Sequence, residues 1–165
     1  KANEANVMAP LLLIKLCVPS MIENGRGVIV NLTSSSGSRE VAALPGQGGW
    51  GLNYSFTKAA IHRISWGLAK EFKQYNIAVI NMSPGDVVVE RRVHEASLYG
   101  FSANFEQGLR PDVPGAAVAF FASHDHPMYF SGKDHEALDV CMAHNLVDPE
   151  SVARRYGLDA WGLPR

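Results

Sequence analysis

Tyr54 and Lys58 stand four residues apart in Asn53-Tyr54-Ser55-Phe56-Thr57-Lys58-Ala59-Ala60, downstream of the serine cluster Thr33-Ser34-Ser35-Ser36-Gly37. On a helix the two side chains lie one turn apart on one face. A phenol titrates near pH ~10 in water and is a poor acid or base at neutrality, but an adjacent ammonium favours the phenolate. A serine hydroxyl arriving from a neighbouring strand end adds a hydrogen bond to a carbonyl or alcohol oxygen. These groups are equipment for moving a proton to or from an oxygen while a hydride moves elsewhere.

The elements that must position them are legible from periodicity. Residues from about Ala2 to Glu23 read as a helix, with Val7, Leu11, Ile14 and Val18 three or four apart. Pro10 removes an interior hydrogen bond and predicts a local irregularity. Asn24-Gly25-Arg26-Gly27 stops the helix, and Val28-Ile29-Val30-Asn31-Leu32 has the β-branched character of a strand buried on both faces. A long loop from Thr33 to Gly51 follows, with Pro45, Gly46, Gly48 and Gly49. Asn53 to Tyr75 is a second helix, with Phe56, Ala60, Ile64, Leu68 and Phe72 four apart; Ile77 to Asn81 is a second strand, closed by Ser83-Pro84-Gly85. Val87 to Arg110 is mixed and reads as short helices or a flap. Asp112 is placed as an N-cap with Pro114 early in a helix to Ser123, and Gly132 precedes a third strand around Glu136 to Val140. A tail from Asp148 reads as a short helix before Gly157. The alternation is that of an α/β fold, and Tyr54 then opens a helix just after a strand end, where open α/β sheets carry their sites.

The composition narrows the function classes. A chain of 165 residues with 47% hydrophobic and 19% charged residues is long and apolar enough to bury a core. A formal net charge of -1 and only isolated basic pairs, Arg91-Arg92 and Arg154-Arg155, argue against nucleic acid. The apolar stretch Leu11 to Val18, interrupted by Lys15, is short for a membrane span. Cys17 and Cys141 have no metal-binding spacing and read as reduced, buried thiols of a cytoplasmic protein. His124-Asp125-His126 and His135-Glu136 read as solvated loop residues, and no metal is expected. Trp50 and Trp66 read as packing groups, Trp50 within reach of a substrate, and His62 as an interface residue.

The order Asn6, Ser34-x-x-Gly37, Tyr54-x-x-x-Lys58, Asn81-x-Ser83-Pro84-Gly85 resembles the short-chain dehydrogenase/reductase family, over Asn6 to about Val140. The resemblance implies a Rossmann-like parallel sheet with helices on both faces, residues 1–147 being the C-terminal catalytic part and 148–165 an extension. It implies Tyr54 as catalytic acid/base, Lys58 on the nicotinamide ribose hydroxyls, and Ser34 on the reacting oxygen, with Ser35 and Ser36 as alternatives. Asn6 would hold a water in a proton relay where its helix is irregular, and Pro84, Gly85 and the residues after them, Val87 included, would line the nicotinamide pocket. The implied cofactor is NAD or NADP and the implied substrate a small carbonyl or alcohol. The implied assembly is a homodimer or homotetramer built on the two long helices. Competing readings are a relative that serves assembly without catalysis, and a relative performing epimerisation, dehydration or dehalogenation.

The departures are as specific as the matches. The family's Gly-x-x-x-Gly-x-Gly phosphate turn, its cofactor selector and its Asn-Asn-Ala-Gly-like segment have no counterpart among these residues, which begin at about the fifth helix of that fold. The chain is therefore expected to be a fragment that binds nicotinamide nucleotides weakly. Val88 and Val89 stand where the family often has a threonine after Pro-Gly, and 20 residues separate Ser34 from Tyr54.

Overall fold

Two apolar runs without alternation, Gly27–Leu32 and Ile77–Ser83, form strands β1 and β2, paired in parallel in the register Gly27↔Ile77 through Leu32↔Met82. The computed structural model describes residues 1–40, 50–90, 94 and 108–148. They belong to two compact units, one of Lys1–Ser83 with Phe121–His135, the other of Pro84–Phe120 with Glu136–Arg165.

In the first unit, helix α1 (Ala9–Glu23) and helix α2 (Leu52–Phe72) lie against the sheet. Ile14 and Val18 of α1 and Ile77 of β2 form a buried cluster, joined by Met21, Ile29, Leu68 and Phe72, so both helices meet the same sheet face. Asn76, in the left-handed region at φ 56°, turns the chain from the last 3-10 turn (Lys73–Tyr75) into β2. The sheet is parallel and Rossmann-like, in the order β1-β2-β3, with β3 at Asp134–Glu136. Every residue of β2 is buried, as a central strand requires. β1 departs from the sequence expectation: Val28 and Val30 are only half-buried and Leu32 is 52% exposed, because β1 is an edge strand among the described residues. A groove of about 450 Å³ runs along that edge, between β1 and Leu13, Ile14 and Cys17 of α1. Cys17 is correspondingly exposed rather than buried, while Cys141 is buried; both are free thiols.

The irregularity predicted at Pro10 lies one turn before it. Glu4–Met8 is π-helical, and Ala9 N–H reaches back five residues to the carbonyl of Glu4. In a regular helix the Pro10 ring would collide with the carbonyl four residues earlier, that of Asn6, and the wider turn relieves this. The combined run Glu4–Glu23, 20 residues with a mean hydropathy of 1.7, has the length and composition of a membrane span, which Leu11–Val18 alone lacks. Ile14 and Val18 from that run are instead packed on Ile77.

The third strand is shorter and earlier than expected, and Ala137–Ala143 is a helix. Its buried residues Ala137, Val140 and Cys141 recur at three and four residues, a helical spacing, and Asp139 sits in the first turn. In the second unit the helix Asp112–Ser123 begins with Asp112 inside its first turn rather than capping it, and Cys141 Sγ donates to the Val113 carbonyl at 3.2 Å. Val87 bridges Leu109, and Gly85, at φ +77°, leaves room for the Leu109 side chain, which an added Cβ would meet at 2.6 Å. The glycines of the Thr33–Gly51 loop from Gly46 to Gly49, most of the Val87–Arg110 segment and the tail helix before Gly157 lie outside the described residues.

Candidate active site

Helix α2 carries Tyr54, Lys58 and His62 at successive turns of one face. Lys58 Nζ donates to the carbonyl of Leu32, at the end of β1, at 2.8 Å, and lies 5.6 Å from the centroid of the Tyr54 ring. Burial disfavours its ammonium and lowers the Lys58 pKa from the ordinary 10.5. The register expected from Tyr-x-x-x-Lys is thus realised, with the lysine anchored to a strand end instead of trailing into solvent.

Ser34, separated from the end of β1 by one residue, caps a 3-10 turn, Ser35–Gly37. Its Oγ accepts from the Ser36 N–H at 3.3 Å and lies 3.0 Å from the Ser36 hydroxyl, which donates to it. With two donors incoming, the Ser34 proton is left to donate elsewhere. Gly37 explains the spacing of Ser34-x-x-Gly37: a Cβ there would come within 2.5 Å of the α2 backbone at Lys58 and Ala59. Only glycine lets the serine turn rest on the helix that carries Tyr54 and Lys58.

Asn6 reaches the same helix. Its Nδ2 donates to Thr57 Oγ1 at 3.0 Å, and Thr57 Oγ1 donates to the Tyr54 carbonyl at 2.8 Å. Thr57, fully buried, was not singled out by sequence reasoning; a hydroxyl next to the lysine and three residues after the tyrosine was the available signal. Trp50 stacks on Tyr54, with ring centroids 4.8 Å apart, which places an aromatic face beside the phenol as its position near the loop suggested.

His62 differs from its expectation as an interface residue. It is 3% exposed and lies within the unit, between the Ser34 carbonyl and Asp134. Trp66, read as a packing group, donates its Nε1–H to Asp134 Oδ1 at 3.1 Å. His124 Nδ1 accepts from the His126 N–H at 2.9 Å, and His135 Nε2 lies 3.0 Å from the Phe130 carbonyl. Asn6, Ser34, Tyr54 and Lys58 therefore all converge on α2 and the carboxyl end of β1, in one unit. Pro84, Gly85 and Val87 belong to the other unit, where Val87 pairs with Leu109.

This arrangement has relatives. An uncharacterized oxidoreductase of Staphylococcus aureus (strain MRSA252) is 33% identical over 84 residues, 51% of this chain and 33% of that protein, and one of Staphylococcus saprophyticus matches to the same extent. Among solved structures, ElxO with NADP bound superposes with a TM-score of 0.65 at 22% identity, covering 80% of this chain and 53% of that one. A 4-hydroxyisoleucine dehydrogenase mutant complexed with NADH and succinate gives 0.61 at 22% identity, with 81% and 55% covered. The chain thus spans about half the length of these structures, and its match a third of the curated relatives. The family model for short chain dehydrogenase matches residues 1–97, more than half of the sequence, and the chain belongs to that family.

Proposed function

We propose that this chain carries the proton-transferring half of an NAD(P)-dependent oxidoreductase acting on a small carbonyl or alcohol, with Tyr54 as acid/base. The observation that carries the reading is the half-buried Lys58 ammonium, tied to the Leu32 carbonyl and set 5.6 Å from the Tyr54 ring. In reduction Tyr54 gives its proton to the substrate oxygen as negative charge develops there; in oxidation its phenolate takes that proton. The Ser34 hydroxyl, with both Ser36 donors feeding its oxygen, is free to donate to the same substrate oxygen. This favours Ser34 over Ser35 and Ser36.

The residues fit a nicotinamide nucleotide. An ammonium has three N–H donors, and one of them is used by the Leu32 carbonyl, which leaves two for neighbouring ribose hydroxyls. When bound, the nicotinamide supplies or takes up the hydride at its C4. Lys58 holds the ribose and adds positive charge beside the phenol. Asn6, within the π-helical turn, is assigned to the relay that returns protons from solvent. Pro84, Gly85 and Val87 are assigned to the nicotinamide side of the pocket by the family motif.

The test is Tyr54→Phe in the complete protein, screened with carbonyl and alcohol substrates at the absorbance of the reduced nicotinamide. Turnover should fall by about 10²–10⁴-fold with the fold intact; turnover near that of the unsubstituted protein would overturn the assignment. We also propose self-association through α1 and α2, whose exposed stripes are Met8, Leu12 and Leu16 on the first helical run and Leu52 and Phe56 on the second. A cytoplasmic location agrees with the free thiols.

A further inference from the structure

Beneath α2, on the sheet face that also carries Asn31 and Asn81, lies a second set of polar groups that proton transfer does not use. His62 Nε2 is 3.1 Å from the Ser34 carbonyl oxygen, and Nδ1 is 3.1 Å from Asp134 Oδ1. The same Oδ1 accepts from Trp66 Nε1 at 3.1 Å and from Asn81 Nδ2 at 2.8 Å. Asn81 is 1% exposed, and holding this bond leaves its Oδ1 buried without a partner. A buried amide left half-satisfied is unfavourable, so the bond to Asp134 must outweigh the loss. The Ser34 carbonyl and an ionised Asp134 carboxylate both only accept, so a doubly protonated ring donates to both, and a neutral ring to one of them according to its tautomer.

We propose that His62 is a positioning residue for Ser34. With the proton on Nε2, the Ser34 carbonyl oxygen receives two donors, His62 Nε2–H and the Gly37 N–H at 2.9 Å, which occupy both lone pairs and fix the peptide plane after Ser34. The Cα–Cβ direction of Ser34, and hence the place of its hydroxyl, follows from that plane. His62 stands one turn beyond Lys58 and two beyond Tyr54, so one helix sets both the acid/base and the serine opposed to it. Asp134, on β3, is the fixed end: it is held by Asn81 from β2 and by Trp66 from α2, and it orients the ring. His62 touches no reacting atom; it acts through Ser34. The inference rests on the proposed role of Ser34 in the reaction.

The experiment compares the complete protein with its His62→Leu, His62→Gln and Tyr54→Phe variants, and adds nitrogen-15 spectra of the histidine ring nitrogens. His62→Leu should lower kcat about 10- to 100-fold with the cofactor KM nearly unchanged, since Lys58 is undisturbed. His62→Gln, whose amide can donate from nearly the same place, should restore most of the rate, and the spectra should show a protonated Nε2 that exchanges slowly. If His62→Leu folds and turns over normally while Tyr54→Phe is inactive, the positioning role is overturned and the catalytic reading stands. If Tyr54→Phe is fully active, the catalytic reading falls and the ring spectrum decides. A protected Nε2–H then upholds the clamp on Ser34, and an unprotonated Nε2 removes it. Should His62→Leu fail to fold, the rate of His62→Gln and the spectrum of the unsubstituted protein separate the same two outcomes.

Discussion

At the scale of single residues, Lys58 sets function against stability. Burial favours its neutral form, so the folded chain releases this proton at a lower pH than the unfolded chain, whose lysine keeps the ordinary 10.5. The unfolded chain thus binds more protons between the two values, and stability rises with pH across that window, the cost of the buried charge being borne in full below it. Lys58→Met should therefore abolish turnover yet raise the thermal midpoint at neutral pH, as calorimetry would record. The Leu32 carbonyl left behind belongs to a residue 52% exposed and can turn to water. The placement of Tyr54, Lys58 and Ser34 about one helix was legible because local spacing carries their register: four residues along a helix, three residues from a glycine that must touch it. The His62–Asp134 bond was not, because 72 residues separate its partners.

At the scale of elements, the π-helical turn is the feature through which Pro10 reaches the site. The proline ring displaces the carbonyl of Asn6, and the side chain of that asparagine is bound to Thr57, the residue preceding Lys58. Pro10→Ala should allow the regular helix to run through Asn6. Chemical denaturation should then show an unchanged or higher midpoint, while kcat falls about 10-fold if the relay needs the displaced carbonyl. Unaltered kcat in a variant whose helix has straightened would remove Asn6 from the mechanism. Both long helices could be read from apolar spacing of three and four, and the two paired strands from short β-branched runs bounded by turn residues. The third strand was misplaced because Glu136 to Val140 is too short for either period to dominate. The helical spacing shows only when Cys141, four residues after Ala137, is included.

At the scale of the whole molecule, Met8, Leu12 and Leu16 recur every four residues and are 54%, 57% and 66% exposed, and Leu52 and Phe56 continue the pattern on α2. Such stripes favour association between copies. A Leu12→Glu, Leu16→Glu double variant of the complete protein should sediment as monomer at micromolar concentration where the parent is a dimer or tetramer; a parent that is itself monomeric would end the proposal. The fold class was legible at this scale, but the assembly was not, because an apolar stripe does not by itself name what covers it. The edge of β1 has a different consequence. Among the described residues no strand pairs with its outer side, so its outward-facing amides and carbonyls, bordered by half-buried valines and an exposed Leu32, are a template for another strand. A preparation of these 165 residues should thus be prone to cross-β aggregation, seeded where Gly27–Leu32 of one molecule stacks on that of the next. A lysine in place of Val30 should delay the rise of thioflavin fluorescence, whereas a lysine in place of exposed Tyr129, away from this edge, should not.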